Sequence, residues 1–428
     1  MLILIMFFLI MNILAFFIFK FNLLNPINVY SIGFLISVIS LYFAKNIWNV
    51  SLYSQTVSLI IIGSIAYFFG VLIVNIKLFI KKNNNTNKSL AISYSIKSNV
   101  TIVAGVITAL QVITTLMLYR TLKSFAPGGS LSSMISYFRN TSMSNDSDMV
   151  SLPFTLNQLI NFNMAGSFVL VFVFLYGRIL LNKKVSQLAI VPIFFYMLQS
   201  ILMGGRQQLL RVIIFVIVSS YFLYMYKYKS PTVSNRWVLS KSKWLLLFLP
   251  FFYLLKFFIG RTSTDNFFQY IIRYLGGPIE SLDIYLRGGV LGEHLPGQET
   301  FTSLYKVINN SPVTFRWAQS TTGVWVGNVF TGIRRYYSDF GTIGVIVILL
   351  CLGLIFGVSY YFVLNRNDFK CPRSSFALIF YSFYLYSIFF EFFDDTFMSV
   401  VVSMGGILKI FELYLFYKIM MKRVVVKK

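Results

Sequence analysis

A polytopic all-α membrane protein is the fold class this sequence predicts, and three observations predict it. The chain of 428 residues is 57% hydrophobic and 12% charged, with a mean hydropathy of +0.74. That balance is far too apolar for a soluble chain of this length. Apolar runs of about 17 to 25 residues, enough to cross ~30 Å of hydrocarbon as a helix, recur along its whole length. Lys and Arg then collect in every second connection between those runs, as they do when short cytoplasmic loops retain positive charge.

The runs fall near 2–19, 27–44, 57–80, 99–119, 155–176, 185–203, 207–226, 244–259, 340–364, 374–393 and 398–418, which makes about eleven spans. Each must be helical, because lipid offers no partner to an open backbone amide. The first run has no basic stretch before it, so it reads as a retained span and not as a cleaved leader. The groups Lys77 to Lys97, Arg178 to Lys184, Lys227 to Lys243, Arg366 to Arg373 and Lys418 to Lys428 mark the cytoplasmic side. The N-terminus is therefore expected outside and the C-terminus inside, as in a bacterial inner (cytoplasmic) membrane protein. Two long segments face outward, 120–154 and, between the eighth and ninth spans, 260–339. With short cytoplasmic loops, residues 1–428 read as a single membrane domain.

Several function classes drop out. A net charge of +24 would suggest nucleic acid on a soluble surface, but here it is distributed as topology, so no nucleic-acid partner is expected. Two cysteines and one histidine, His294, supply neither a disulfide framework nor a metal cluster, and no metal or cofactor is expected. Asp146-Ser147-Asp148 matches a metal-binding D-x-D pattern but lies in a polar external segment. A Walker loop, a G-x-G-x-x-G turn and a serine elbow are all missing from the sequence.

The outward-facing basic residues are mostly arginines: Arg120, Arg139, Arg206, Arg211, Arg261, Arg273, Arg287, Arg316, Arg334 and Arg335. Lys would satisfy topology equally well, whereas a planar guanidinium grips phosphate or carboxylate oxygens in pairs. These arginines either bind an anionic ligand or pair with the external carboxylates. Gly204-Gly205-Arg206 joins two spans, which sets Arg206 at the boundary with Arg211 deeper, and glycine amides there can approach phosphate oxygens. The stretch 270–287 reads as helix, Gly-Gly break and helix with Pro278 in its first turn. It carries Arg273, Tyr274, Glu280, Asp283 and Arg287, a set suited to sugar or to a simple i, i+4 ion pair. The stretch 327–341 concentrates Asn328, Arg334, Arg335, Tyr336, Tyr337 and Asp339 just before a span. Tyr and Arg of this kind are typical binding residues, although Arg335 and Asp339 are also spaced to pair.

The G-G-R turn at 204–206, R-Y-L-G-G-P-I at 273–279 and N-V-F-T-G-I-R-R-Y-Y-S-D-F-G at 328–341 resemble the Wzy-type oligosaccharide repeat-unit polymerases of O-antigen and capsule biosynthesis. The likeness covers about residues 200–345, and Arg316 with Gly327 fits an Arg-x10-Gly spacing seen in some relatives. The resemblance implies a metal-independent, GT-C-like glycosyltransferase acting on undecaprenyl-diphosphate-linked oligosaccharide, with membrane lipid, a chain-length regulator and a flippase as partners. It implies catalytic roles for Asp339, Glu280, Asp283, Arg273 and Arg335, with His294 a weaker base. Arg206, Arg211, Arg287, Arg334, Tyr274, Tyr336, Tyr337 and Asn328 would then bind diphosphate and sugar. A ligase of the same superfamily and a flippase or other transporter are the rival readings.

Overall fold

The computed structural model describes residues 1–81, 91–142, 150–260, 265–288, 295–308, 318–319, 323–365 and 375–426. His294, Asp146, Asp148, Arg261 and Arg316 lie outside them. The helices are α1 (Leu2–Ile18), α2 (Pro26–Trp48), α3 (Ser54–Lys81), α4 (Val100–Phe125), α5 (Leu131–Ser142), α6 (Phe154–Leu175), α7 (Val191–Leu202), α8 (Gln207–Tyr228), α9 (Pro231–Phe258), α10 (Phe267–Leu275), α11 (Gly277–Leu286), α12 (Thr302–Ile308), α13 (Gly332–Asn365), α14 (Ser375–Phe389), α15 (Met398–Val401) and α16 (Met404–Met420). Four short strands accompany them, a departure from a purely helical chain: β1 (Ala91–Ile96), β2 (Ala318–Gln319), β3 (Trp325–Gly327) and β4 (Met421–Val426). They pair antiparallel as β1 with β4 and β2 with β3.

Among the described residues, six helical stretches are long and apolar enough to cross a membrane: Pro26–Trp48, Ser54–Ile76, Val100–Phe125, Phe154–Leu180, Gln207–Tyr228 and Gly332–Leu364. A seventh is added if Pro231–Lys243 and Phe248–Phe258, bent by 45°, form one span. Pro250 lies just beyond that bend, where its missing amide removes one rung of the helix. Leu2–Ile18, Gln187–Leu202 and Phe376–Phe392 are apolar but shorter. These helices mark a multi-pass membrane protein. Two expected runs differ in detail. The run at 244–259 is the second part of the longer α9, and the run at 398–418 is broken between α15 and α16, where the Ser403 hydroxyl accepts from the Gly406 amide at 3.0 Å.

The chain divides into two compact units. Unit 1 comprises residues 1–86, 265–362 and 384–406. Its α2 begins at an Asn25 cap, whose side chain accepts from the Asn28 amide at 2.9 Å, with Pro26 in the first turn. Stacked Phe8 and Phe34, and Tyr30 and Tyr67, fill its core. Small residues bring α3 against α13: β-carbons on Gly70 or Gly353 would run into the Leu350 and Tyr67 carbonyls, the close approach that glycine permits between membrane helices. Gly341, at φ 64°, breaks α13 internally, so residues 332–340 form a separate helical stub carrying the Arg334–Asp339 motif.

Unit 2 comprises 87–264, 363–383 and 407–428. A buried amide seam joins α4, α6 and α7: Gln199 donates to the Gln111 side chain at 2.7 Å and Gln111 donates to Ser167 at 2.9 Å. At one end of the unit, Leu118, Leu122, Ile135, Phe138, Leu156, Leu202, Leu209, Leu255 and Ile259 form a common core beneath the 203–206 turn.

Candidate functional site

In unit 1 the site is assembled around the α10–α11 elbow. Asn266 and Gln269 form a capping box that starts α10. The Ser37 hydroxyl of α2 closes its other end by donating to the Leu275 carbonyl at 2.6 Å. Gly276 then packs so closely on α2 that a β-carbon would lie 2.8 Å from the Leu41 nitrogen, and one on Gly277 would lie 3.1 Å from the Val326 carbonyl oxygen. Glycines at both positions let α11 turn back and bury its first residues, and Glu280 and Asp283 go in with them, at 4% and 2% exposure.

The two carboxylates fare differently. Asp283 accepts from the Tyr53 amide at 2.7 Å, the Thr56 hydroxyl at 2.5 Å and Arg287 Nε at 2.7 Å. It thereby anchors the start of α3, and the i, i+4 pair with Arg287 that the spacing allowed is formed. Arg287 also donates to the Ser51 carbonyl. Glu280 Oε2, by contrast, is buried and accepts no hydrogen bond among the described residues. Burial, reinforced by neighbouring Asp283 and opposed by Arg287, pushes its carboxyl up from 4.5 to about 7.

The α13 stub forms a second cluster. Arg334 pairs with Glu299 at 2.9 Å and covers the Phe330 ring. Arg335 grips Asp394 with both Nε and Nη2, at 2.7 and 3.0 Å, and donates to the Glu299 carbonyl and Thr302 hydroxyl at 3.1 Å each. Asp339 is held in turn by the amides of Thr300 at 2.6 Å and Glu299 at 3.3 Å. The Arg335–Asp339 pair suggested by their spacing is therefore replaced by a tertiary bond from Arg335 to Asp394, because Asp339 is occupied in capping the turn before α12. Tyr337 accepts from Gln55 at 2.9 Å and packs edge-on to Tyr285. Tyr274 stacks on Phe393. Asn328 follows β3, half-buried.

Behind this cluster Tyr336 is fully buried facing Glu391 and Asp395. Glu391 is itself fully buried, and neither of its oxygens has a hydrogen-bond partner among the described residues. Its carboxylate lies directly against Gly332, where any side chain would collide. Asp395 accepts from the amides of Phe397, Met398 and Ser399 at 2.9, 2.9 and 2.6 Å, opening α15. Burial nevertheless raises its carboxyl, against the pull of Arg335. Glu299 is the member that sequence reading passed over. Glu391, Asp394 and Asp395 read from the sequence as external carboxylates solvated at the end of a span, with cation or sugar binding as the alternative; they are instead buried or held by Arg335. The one available signal for that burial was a carboxylate inside the aromatic run 389–393, costly in an apolar segment.

Four expected ligand-binding arginines are thus ion-paired within the protein: Arg334, Arg335, Arg287 and Arg273, the last with Asp265 at 2.5 Å. The alternative that the sequence left open is the one these four take.

Arg206 and Arg211 lie in unit 2. Arg206, 4% exposed, donates to the Phe252 carbonyl at 3.2 Å and covers that ring at 4.2 Å. One turn further along α9, Lys256 is 2% exposed over the rings of Tyr253 and Phe257. Arg139 of α5 lays its aliphatic stem along Gly204, whose φ of +71° also demands glycine. Arg211 covers Phe383 at 5.2 Å. The glycine amides do not face a ligand as the motif suggested. Gly204 donates to Ile201 and Gly205 to Ser200, both at 2.8 Å, ending α7. What the turn presents is cationic side chains. The described residues of unit 2 contain one acidic side chain, Glu412.

Comparison with protein-family models, with curated proteins and with solved structures finds no match for this chain.

Proposed function

We propose that this chain is a polymerase of lipid-linked oligosaccharide repeat units. It acts at the extracytoplasmic face of a bacterial cytoplasmic membrane, with about eleven spans, the N-terminus outside and the C-terminus inside. The observation that carries the reading is Glu280: a buried carboxyl whose Oε2 has no donor among the described residues and whose proton affinity is raised to about 7, on an elbow that also bears Tyr274 and Arg287. That is the state a general base needs, since proton transfer is most efficient when its affinity matches the working pH. Asp283 and Asp339, the other candidates, have their oxygens occupied by structural donors and serve as anchors.

In the proposed reaction the hydroxyl of an incoming lipid-linked unit attacks the anomeric carbon of the growing glycan. A new C–O bond forms, the anomeric C–O bond to diphosphate breaks, the hydroxyl proton passes to Glu280 and undecaprenyl diphosphate leaves. Arg287, beside Glu280, offsets negative charge as the leaving group develops it. Arg273, Arg334 and Arg335 act as positioning residues that hold α10 and the α13 stub to their carboxylates. Considered by itself, unit 2 carries Arg206, whose guanidinium has the charge that a prenyl-phosphate headgroup prefers.

The test is glycan ladder analysis of a deletion strain complemented with variants. The expected result is single-repeat glycans in the deletion strain and in Glu280→Gln, with full ladders restored by the wild type. Unattached lipid-linked polymer would instead indicate a ligase, and repeat units held on the cytoplasmic side a flippase. Either outcome overturns the proposal.

A further inference from the structure

Within unit 2, the end that carries the C-terminal tail gathers basic side chains from four separate segments onto one connected surface. The connection begins with β1 and β4, whose register sets Ile96 against Met421 and Ser95 against Lys422. The Lys97 amide donates to the Met420 carbonyl at 2.9 Å and its Nζ to the Lys418 carbonyl at 2.7 Å, so both satisfy the last turn of α16. Ile96 in turn lies against Gly177, in the helical turn Tyr176–Leu180 that follows α6; a β-carbon there would come within 2.9 Å of Ile96 Cδ1. The Lys183 amide donates to the Gly177 carbonyl at 2.9 Å, and Asn182 accepts from Lys227 Nζ of α8, also at 2.9 Å.

The surface has one sign. Lys183, Lys184, Lys229 and Lys422 are exposed, and none of them enters an ion pair among the described residues. Glu412, the acidic side chain described in unit 2, is buried six residues back along α16 from Lys418, about 9 Å of helix. Topology explains why Lys and Arg stay in such loops. It does not require them to converge from four segments onto one face, or to lack carboxylate partners there. Three further cations fix the depth of the surface: Arg178 lies over Phe174 at 5.2 Å, Lys227 over Tyr228 at 5.6 Å and Lys418 over Tyr414 at 5.4 Å. Aromatic rings at the ends of apolar helices mark the level where lipid headgroups meet hydrocarbon, and cations laid on them stay at that level. A soluble acidic partner would have to displace headgroups to reach these charges, whereas lipid phosphates already lie beside them.

We propose that this surface binds anionic phospholipid, its lysines and Arg178 drawing acidic headgroups around one end of unit 2. Attraction of juxtamembrane basic groups to anionic headgroups supplies the affinity. Zwitterionic lipid, whose phosphate already carries a covalent cation, is the poorer occupant. Through the β1–β4 pairing the C-terminal tail contributes Lys418 and Lys422 to the surface, and bound lipid in turn holds the tail at the membrane. Such binding does not depend on the reaction proposed above.

In the experiment, full-length protein purified in detergent is titrated with phosphatidylglycerol or with phosphatidylcholine of the same acyl chains, and bound lipid is read by native mass spectrometry. The expected result is tighter binding of phosphatidylglycerol, weakening as salt rises because the cations are exposed. The triple variant Lys183→Gln, Lys184→Gln, Lys422→Gln should lower that affinity about a hundredfold, roughly fivefold for each cation removed, and leave phosphatidylcholine binding unchanged. Should the triple variant not accumulate, Lys422→Gln alone should lose about fivefold. Equal binding of the two lipids by the wild type, or undiminished phosphatidylglycerol binding in the variants, overturns the proposal. So does displacement of phosphatidylglycerol by polyglutamate or a short RNA at equal charge concentration, since the surface would then serve a soluble partner.

Discussion

Replacing Glu280 by Gln should make the protein more stable at alkaline pH while abolishing polymer formation. In the fold this carboxyl titrates at about 7 against an ordinary 4.5, because burial and Asp283 outweigh Arg287. Ionising it inside the protein is therefore harder than in the unfolded chain by about 3 kcal/mol. The sign follows from linkage. A carboxyl raised on folding binds its proton more tightly in the native state, so stability is greatest below the unfolded value of 4.5 and declines as pH rises, levelling off above about 7. Gln mimics the protonated form at every pH. Thermal melting of purified protein in detergent should show wild type losing stability between pH 5 and 8 and Glu280→Gln holding it, with a gap approaching ~3 kcal/mol at pH 8. The glycan ladder of the same variant should collapse to single repeats, a trade of activity against stability common at catalytic groups. Wild-type transfer should also rise with pH through about 7, since only the ionised carboxyl accepts a proton. A Glu280→Gln variant that makes full-length ladders, or parallel melting curves for the two proteins across that pH range, would refute the argument.

Arg335→Gln should destabilise by about 3–5 kcal/mol, because Asp394 and Glu299 lose the guanidinium that balances them. Adding Asp394→Asn should recover part of that loss, and equal melting temperatures for wild type and Arg335→Gln would contradict the ion-pair assignment. Gly353→Leu should cost about 1–3 kcal/mol or more through overpacking against the Tyr67 carbonyl, measured as detergent melting temperature and yield. Unchanged values would mean that the α3–α13 seam is looser than it stands. Arg206→Ala should lower retention of prenyl phosphate co-purified with the protein, measured by native mass spectrometry, whereas Arg206→Lys should retain charge but lose selectivity for diphosphate over monophosphate. Identical lipid profiles would remove Arg206 from phosphate recognition.

How much of the molecule was legible in the sequence depends on the range of the interaction concerned. Helix positions were legible because hydrophobic length and local stop signals set them: Asn25-Pro26 starts α2, and Gly276-Gly277-Pro278 divides α10 from α11 as the residues suggested. The break at Gly341 and the α15–α16 interruption were missed, since an apolar run conceals a glycine or serine that changes direction within it. Side-chain roles were less legible because they are settled by residues far along the chain. Arg335 is four residues from Asp339 and 59 from Asp394, yet it is the distant carboxylate that it grips. Local spacing gave the wrong partner because Asp339 was already committed to backbone amides that no i, i+4 rule considers.

The same holds among the candidate carboxylates. Glu280, Asp283 and Asp339 look equivalent in the sequence: acidic and flanked by Arg and Tyr. What separates them is the occupancy of their oxygens. Asp283 is surrounded by an amide, a hydroxyl and a guanidinium, and Asp339 by two amides, so each stabilises the segment that donates to it. Glu280 is buried by the same elbow without receiving such donors at Oε2, which raises its proton affinity to the range where it can take and return a proton. An unsatisfied buried acceptor is unfavourable for folding by about 1–3 kcal/mol. A ligand hydroxyl donating to Oε2 would remove that penalty on binding, which in the proposed polymerase reaction would favour the acceptor hydroxyl whose proton Glu280 is to take.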